Sequence, residues 1–421
     1  MLRAYKYRLL PTKLQADYLL RTMGCARFVY NALLADYKRQ LDQYRDGDVR
    51  PKIAEVSSLK KDSPWLSEAD SLALANAKKN LVSALSNFWQ GRKGKRRGRK
   101  TGFPKMHGRH KSRMSFTTNN QNGTVRTDGD KILLPKIKWI RFIRHRDFSG
   151  TIRSVTVSRE RDGGFFVSIL CDADEQAYAK NKNTDNGSLR VVGLDMSYSD
   201  FVVDSDCTVP DGMKPKYVRQ YRKNEKRRAR LCRRMSRKKP GSSNRAKARL
   251  KIASLDRHIA DSRKDFCHKV SKYYASGYDA VVIEDIDMQR QSMSGMRGHG
   301  KSVNDLGFGL FREYLRYKCR DYGTELFVAD KWFASSKTCG TCGNKNANLG
   351  LSDRKWKCPV CGAEHDRDCN AACNLRDYYL KRINTAGTAG IHACGDTANT
   401  SGETLRQAAS GKQEAADLVQ R

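Results

Sequence analysis

The sequence predicts a multidomain chain of mixed α and β structure. An antiparallel β-sheet or barrel accompanied by helices comes first, and an α/β layer with a small metal-bound ribbon follows. Three observations predict this. Residues 130–172 alternate in short runs (KILLP, KWIRFIRH, IRSVTVSRE, GFFVSILCD), with an Asp162-Gly163-Gly164 turn before the last, as hairpin strands do. After residue 189, continuous apolar strands alternate with long helical patterns, which marks an α/β layer. Cys339-x-x-Cys342 and Cys358-x-x-Cys361 are separated by 15 residues, the spacing of a four-cysteine zinc ribbon.

In chain order, LRAYKYRL (2–9) sets Tyr5, Tyr7 and Leu9 on one face and Lys6 and Arg8 on the other, a strand. Pro11 and Thr12 open a helix with Leu14, Tyr18, Met23 and Ala26 on its apolar face. A second helix, Ser71–Trp89, repeats Leu74, Ala77, Leu81, Leu85 and Phe88 every three or four residues. A basic loop (92–113), the strands of 130–172 and a polar linker (179–188) follow. Buried-type strands are expected at 189–195, 200–204, 279–285 and 325–330. Between them fall helices over about 216–238, 244–275 and 305–322, the last capped by Asn304, and a Ser/Gly/Met/Arg loop at 288–303. Beyond Lys381 there is no Phe, Trp or Tyr, which predicts a disordered tail over 382–421.

The chain of 421 residues carries 82 Lys+Arg against 45 Asp+Glu, a formal net charge of +37. Such an excess calls for a polyanionic partner, nucleic acid before an acidic membrane. No run approaches the ~18 apolar residues of a membrane span, so a cytoplasmic, nucleoid-associated protein is expected, with no membrane partner. The charge is concentrated. Residues 92–113, with Arg96 and Arg97, hold 11 Lys/Arg and no acid. Residues 214–251, with Arg227, Arg228, Arg230, Arg233, Arg234 and Arg237, hold 18 Lys/Arg and one acid, Glu225. Like charges at i,i+4 destabilise a helix unless a phosphate backbone relieves them.

Six of the thirteen cysteines lie within residues 339–373 and the rest are scattered. That distribution reads as a metal site in a reducing compartment and not a disulfide framework. Cys339, Cys342, Cys358 and Cys361 close a tetrahedral shell, so one structural Zn2+ is expected. His365 or Cys369 offers an alternative ligand.

Three acids stand where an α/β sheet exposes chemistry. Asp195 ends VVGLD, Glu284 ends AVVIE, and Asp368 lies in HDRDCNAACNL, at the start of a helix running to Tyr379. Converging carboxylates repel one another unless hard divalent cations neutralise them, which points to two Mg2+ or Mn2+ ions and phosphodiester hydrolysis. Taken singly, each acid is also explained as a turn former or, for Asp366 or Asp368, a helix N-cap.

GLD (193–195), IED (283–285), the ribbon and DRDCNAACNL (366–375), in that order, resemble the split RuvC nuclease of the TnpB family. Those are RNA-guided nucleases of insertion sequences, related to compact type V CRISPR effectors. The likeness spans almost the whole chain, including residues 5–31, 103–116, 263–271, 317–343 and 385–396. It implies a β-barrel wedge domain from 1–12 and 110–186, with a helical recognition domain inserted over 13–109. It further implies an RNase H-like (RuvC) nuclease domain from 189–338 and 363–381, interrupted by the zinc ribbon at 339–362.

By the same resemblance, Asp195, Glu284 and Asp368 match the metal-binding catalytic acids. The partners implied are a guide RNA derived from the element's end and double-stranded target DNA beside a short adjacent motif, bound by a monomer or weak dimer. Asn76 and Asn80, one turn apart on a helix, have side chains able to pair with adenine edges. Together with Lys78, Lys79, Phe116 and Thr117 they are the candidates for reading that motif. Two other readings use the same features: an RNA-guided DNA-binding repressor that does not cut, and a transposase acting on element ends.

Overall fold

The structure, a computed structural model, describes residues 2–44, 50–96, 101–109, 114–173, 189–197, 200–207, 216–285, 307–350 and 353–388. It divides into two compact units, residues 1–176 with 227–257, and residues 177–226 with 258–421. Asn304 and the expected linker, the loop at 288–303, Arg97 and most of the expected tail lie outside the described residues.

In the first unit, β1 (Leu2–Leu10) alternates, with Tyr7 and Leu9 buried. Thr12 then caps α1 (Lys13–Gln43). The Thr12 hydroxyl accepts from the Gln15 backbone N–H (3.3 Å), and the Thr12 N–H donates to the Gln15 side chain (3.0 Å), a reciprocal capping box. The buried face of α1 is Leu19, Met23, Ala26, Tyr30 and Leu33; Leu14, expected on it, is 82% exposed because it precedes the first turn that meets the core. Next come α2 (Val56–Asp62) and a 3-10 turn (Pro64–Glu68). Asp70 then accepts from the Leu72 N–H to cap α3 (Ser71–Arg92). Leu74, Ala77, Leu81 and Leu85 of α3 are buried, as their spacing predicts.

The strands are β2 (Met114–Asn119), β3 (Arg126–Asp128), β4 (Lys131–Leu134), β5 (Lys138–Ile143), β6 (Thr151–Arg159) and β7 (Phe165–Asp172). They make one antiparallel sheet in the order β2-β6-β7-β1-β5-β4-β3. The expected barrel is therefore corrected to an open sheet whose end strands, β2 and β3, do not pair. Its apolar face is closed by the helices: Tyr7, Phe142 and Val157 of the sheet share one core with Leu33 of α1 and Leu74 of α3.

The second unit is built on a four-stranded sheet of β8 (Val191–Asp195), β9 (Val203–Asp204), β10 (Ala280–Glu284) and β11 (Glu325–Ala329), in the order β11-β10-β8-β9. β10 runs parallel to both β8 and β11, and β9 is antiparallel to β8. Strand structure is confined to the end of the expected 200–204 segment. Phe201, at φ +69°, turns its ring into Phe266, Phe308 and Phe311, and that burial outweighs an extended backbone there.

The helices are α4 (Lys216–Ser236), α5 (Ser243–Gly277), α6 (Phe308–Tyr322) and α7 (Arg367–Thr388). On one face of the sheet, Val192, Leu194, Val281 and Ile283 pack on Val270 and Tyr274 of α5 and Phe311 and Leu315 of α6. On the other, Val191, Ala280 and Val282 pack on Leu375 and Tyr379 of α7. Parallel strands covered on both faces are apolar throughout, which is why β8 and β10 are buried at every position except the terminal acid. Helix α7 runs to Thr388, so the tail does not begin at 382. Ile383 packs on the Leu375–Tyr379 cluster, and the Arg382 guanidinium lies over the Phe327 ring at 5.4 Å.

Candidate functional site

The sheet register aligns the first two acids. Leu194 pairs with Ile283 on adjacent parallel strands, so Asp195 and Glu284 leave the same carboxyl edge one position later. The third arrives on α7, which lies on β8 so closely that a Cβ on Gly193 would stand 2.0 Å from the Ala372 carbonyl oxygen. The glycine of GLD therefore admits the helix that carries Asp368. Asp366 caps that helix: its Oδ1 accepts the backbone N–H of Asp368 (3.2 Å) and of Cys369 (3.1 Å). The two acids of DRD thus divide their duties, one structural and one turned to the site.

Burial, followed by the charges of Glu284 and then Asp368, raises the Asp195 pKa well above the usual carboxylate range. Burial also raises Glu284, against a hydrogen bond donated by the Ser335 hydroxyl that favours its ionised form. Asp368 accepts from the Ser197 hydroxyl at 3.1 Å and from Arg354 Nη1 at 2.8 and 3.0 Å. Sequence reasoning missed Ser197, Ser335 and Arg354, because each meets its carboxylate across a long loop.

The ribbon follows a 3-10 turn (Ser335–Lys337) and contains β12 (Lys355–Lys357) paired with β13 (Glu364–Asp366). The four sulfurs lie within 4.8 Å of one another, with Cys339–Cys361 and Cys342–Cys358 both at 3.6 Å. A tetrahedron of ~2.3 Å zinc–sulfur bonds has edges of about 3.7 Å, so the set fits Zn2+. Gly343 and Gly362, at φ +75° and +74°, close the two knuckles. Backbone N–H groups of Cys361 and Val360 pull the Cys358 thiol down to about 6, which readies the thiolate for a metal.

His365 Nε2 is 3.0 Å from Cys339 Sγ, and its ring lies tilted by 40° against Trp356, a neighbour of the sulfur set. Cys369 is not a ligand of this cluster: it is bonded to Cys207 with Cα atoms 5.3 Å apart, and Cys373 joins the pair. That bond leaves the ribbon set intact; the start of α7 lies over the segment that follows β9, 162 residues earlier in the chain.

Two asparagines of DCNAACNL fasten ribbon and carboxylate edge to the same helix. Asn370 donates to the Thr338 carbonyl (2.7 Å) and accepts from the Gly340 N–H (2.9 Å). Asn374 donates to the carbonyls of Ser335 (2.8 Å) and Thr338 (2.7 Å).

In the first unit the expected motif readers fare unevenly. Asn76 donates to the carbonyls of Leu72 and Thr117, both at 2.9 Å, which occupies the donors that adenine pairing needs. Lys78 pairs with Glu55, Phe116 is buried in the core, and the Thr117 hydroxyl bonds that of Thr156 at 2.8 Å. Each of these four is engaged by the protein's own groups. Asn80 and Lys79 are exposed, and Asn80 borders a cavity of about 110 Å3 with Arg27, Tyr30 and His107. His107 is stacked on Tyr30 (centroids 4.1 Å), and burial, followed by the charge of Arg27, lowers its pKa.

Arg96 is exposed near Thr101. Arg227, Arg230, Arg233, Arg234 and Arg237 are exposed, and Arg228 pairs with Asp256 at 2.6 Å. Among the described residues no helix is long and apolar enough to cross a membrane.

Comparison with known proteins identifies the family of the chain. A family profile described as "Probable transposase" (OrfB_IS605) matches residues 168–294, a "Helix-turn-helix domain" profile of the same group matches 1–46, and a "Cas12f1-like, TNB domain" profile matches 308–375. A Streptomyces pristinaespiralis protein named "Putative RNA-guided DNA endonuclease" is 36% identical over 98% of this chain and 96% of its own. An Escherichia coli (strain K12) relative, InsQ, carries the same description and is 29% identical over 100% of this chain and 98% of its own. A solved Cas12f1-sgRNA-target DNA complex matches 87% of this chain and 83% of its own at 14% identity, with a TM-score of 0.49. With a relative this similar along nearly its whole length, the chain belongs to the OrfB_IS605 or TnpB family, whose curated members include proteins named "Putative RNA-guided DNA endonuclease".

Proposed function

We propose that this chain is the RNA-guided DNA endonuclease of a transposable element, hydrolysing target DNA beside a short adjacent motif. The observation that carries the reading is the meeting of Asp195, Glu284 and Asp368 at one sheet edge, where burial and mutual repulsion raise Asp195. Acids so arranged suit hard divalent cations better than any side-chain partner present. The nuclease domain of this proposal is RNase H-like (RuvC), spans 189–338 and 363–381, and encloses the zinc ribbon.

Asp195, Glu284 and Asp368 are the residues that would hold a pair of Mg2+ or Mn2+ ions. When bound, such ions supply an activated water and neutralise charge on the cleaved phosphate. The protein's part is orientation. Ser335 fixes one oxygen of Glu284, Ser197 fixes Asp368, and Arg354 offers a cation at the edge where a phosphodiester enters. The exposed arginines of α4 hold the guide RNA or its heteroduplex by phosphate contacts. The recess beside Asn80 and His107 is the favoured place for the adjacent motif to be read.

Plasmid cleavage in Mg2+ with the copurified guide tests the proposal. Asp195→Ala is expected to reduce cutting to background while guide-RNA binding stays intact, and persistent cutting removes the assignment. Prior RNase treatment is expected to abolish cleavage; activity that survives it favours a transposase acting on element ends.

A further inference from the structure

The second sulfur cluster of this chain has no part in the endonuclease reading. Cys207, Cys369 and Cys373 bring their sulfurs within 4.8 Å of one another. They differ from the ribbon set. Ribbon sulfurs stand 3.6 Å apart and unbonded, the separation a shared metal imposes, whereas Cys207 and Cys369 are joined. The Cα separation of 5.3 Å lies inside the range a disulfide bridges without moving the backbone.

The bond links two segments that matter to the carboxylates. Cys369 directly follows Asp368 in the first turn of α7. Cys207 ends a tight turn after β9, with its N–H on the Asp204 carbonyl at 3.0 Å. That turn is fixed on β8: the Ser205 N–H donates to the Gly193 carbonyl (3.0 Å), and the Ser205 hydroxyl accepts from the Gly193 N–H (3.2 Å). Tyr274 and Tyr278 hold Asp204 and Asp206 through their hydroxyls. Cys373, one helical turn beyond Cys369, donates to the Ser205 carbonyl at 3.2 Å. Asp195 sits at the end of the same β8–β9 hairpin, paired with Val203.

We propose that Cys207 and Cys369 form a reversible thiol–disulfide latch, which fastens the first turn of α7, and with it Asp368, to the hairpin carrying Asp195. Three features favour reversibility. Cys207 is exposed, so oxidant and reductant reach it. It holds a left-handed backbone, φ +54°, a conformation that costs a non-glycine residue free energy. Cys373 provides a neighbouring thiol able to exchange with the bond.

The chemistry balances with a peroxide as oxidant. The Cys207 thiolate attacks a peroxide oxygen, giving a sulfenic acid and one water. The Cys369 thiolate then attacks that sulfur and expels the second water. Overall two thiols lose two electrons and two protons to hydrogen peroxide. A dithiol reductant reverses the step by exchange and leaves as its own disulfide.

The test uses the full-length, zinc-loaded chain, treated with hydrogen peroxide or with dithiothreitol, then alkylated and mapped by mass spectrometry. The expected result is a linked Cys207–Cys369 peptide after peroxide that dithiothreitol removes. Oxidation should raise Tm by about 5 °C or more, because the bond closes a long loop. Cys207→Ser should abolish that shift, and Cys373→Ser should retain it. Alkylation of both Cys207 and Cys369 after peroxide overturns the latch, as does a redox-dependent Tm shift that survives in Cys207→Ser. A second zinc per chain that is lost in Cys207→Ser overturns it too, since the trio would then be a metal site. No readout depends on DNA cleavage, so failure here leaves the endonuclease reading standing.

Discussion

The carboxylate edge and the cysteine ribbon solve the same problem in opposite ways. Each collects groups that repel one another once ionised. At the ribbon, four sulfurs complete a tetrahedron and knuckle amides support them, so every coordination position belongs to the protein. At the sheet edge, serine hydroxyls meet Glu284 and Asp368 and the charges of Arg354 and Arg367 lie near, yet burial and then the neighbouring carboxylates still raise the Asp195 pKa. A closed shell holds a fold together, whereas an open, unbalanced one is suited to cations and substrate. Helix α7 joins the two, since Asn370 and Asn374 grip the ribbon's entry while Asp368 completes the acids.

The widest separation between these centres should come from removing zinc. Chelation is expected to lower the Tm of the nuclease unit by several degrees or to unfold the ribbon outright, because structural zinc binding is worth on the order of 10 kcal/mol. Unchanged melting after complete zinc loss, checked by metal analysis, would count against a structural ribbon. Gly193→Ala comes next. Its methyl group would collide with the Ala372 carbonyl, so a loss of about 1–3 kcal/mol and a displaced α7 are expected. Denaturant unfolding and cleavage should fall together, and wild-type values in both would show that the helix does not need that approach.

Smaller effects belong to the open site alone. Ser335→Ala removes the hydroxyl on Glu284 and should weaken metal dependence or turnover by about 10–100-fold at wild-type melting temperature, measured by titrating Mn2+ into the cleavage reaction. The smallest and most diagnostic change is Asp195→Asn. It should abolish cleavage yet stabilise the metal-free protein by on the order of 1 kcal/mol, about 2–4 °C in Tm, because one repelling charge is gone. A drop in Tm for Asp195→Asn in chelator would mean that the acids are held by internal pairing and are not poised for cations.

Much of this was readable in the residues, and the unread parts share a cause. VVGLD and AVVIE announce buried parallel strands, because a run apolar on both faces must be covered on both, and each ends in a less buried acid. Cysteine spacing encodes the ribbon for the same local reason. What could not be read depends on pairings distant in sequence: Ser335 with Glu284, Arg354 with Asp368, and Cys207 with Cys369. Asn76 shows the opposite failure. Its helical position invited a reading as a base contact, but β2 offers a backbone carbonyl within reach, and an internal hydrogen bond uses the amide. Alternation showed the strands of the first sheet but not their order, which rests on pairings such as β1 with β5 and β7, far apart in the chain.

The central place of β1 in the seven-stranded sheet has a consequence during synthesis. Leu2–Leu10 leaves the ribosome well before its partners, since β5 and β7 end at Ile143 and Asp172. At about 5–20 residues per second the strand waits roughly 7–30 s with both edges unpaired. Lys6 and Arg8, which alternate with Tyr5, Tyr7 and Leu9, then act as gatekeepers that keep one nascent chain from pairing with the next on a polysome. The strand's charge therefore protects the protein before there is any nucleic acid for it to meet.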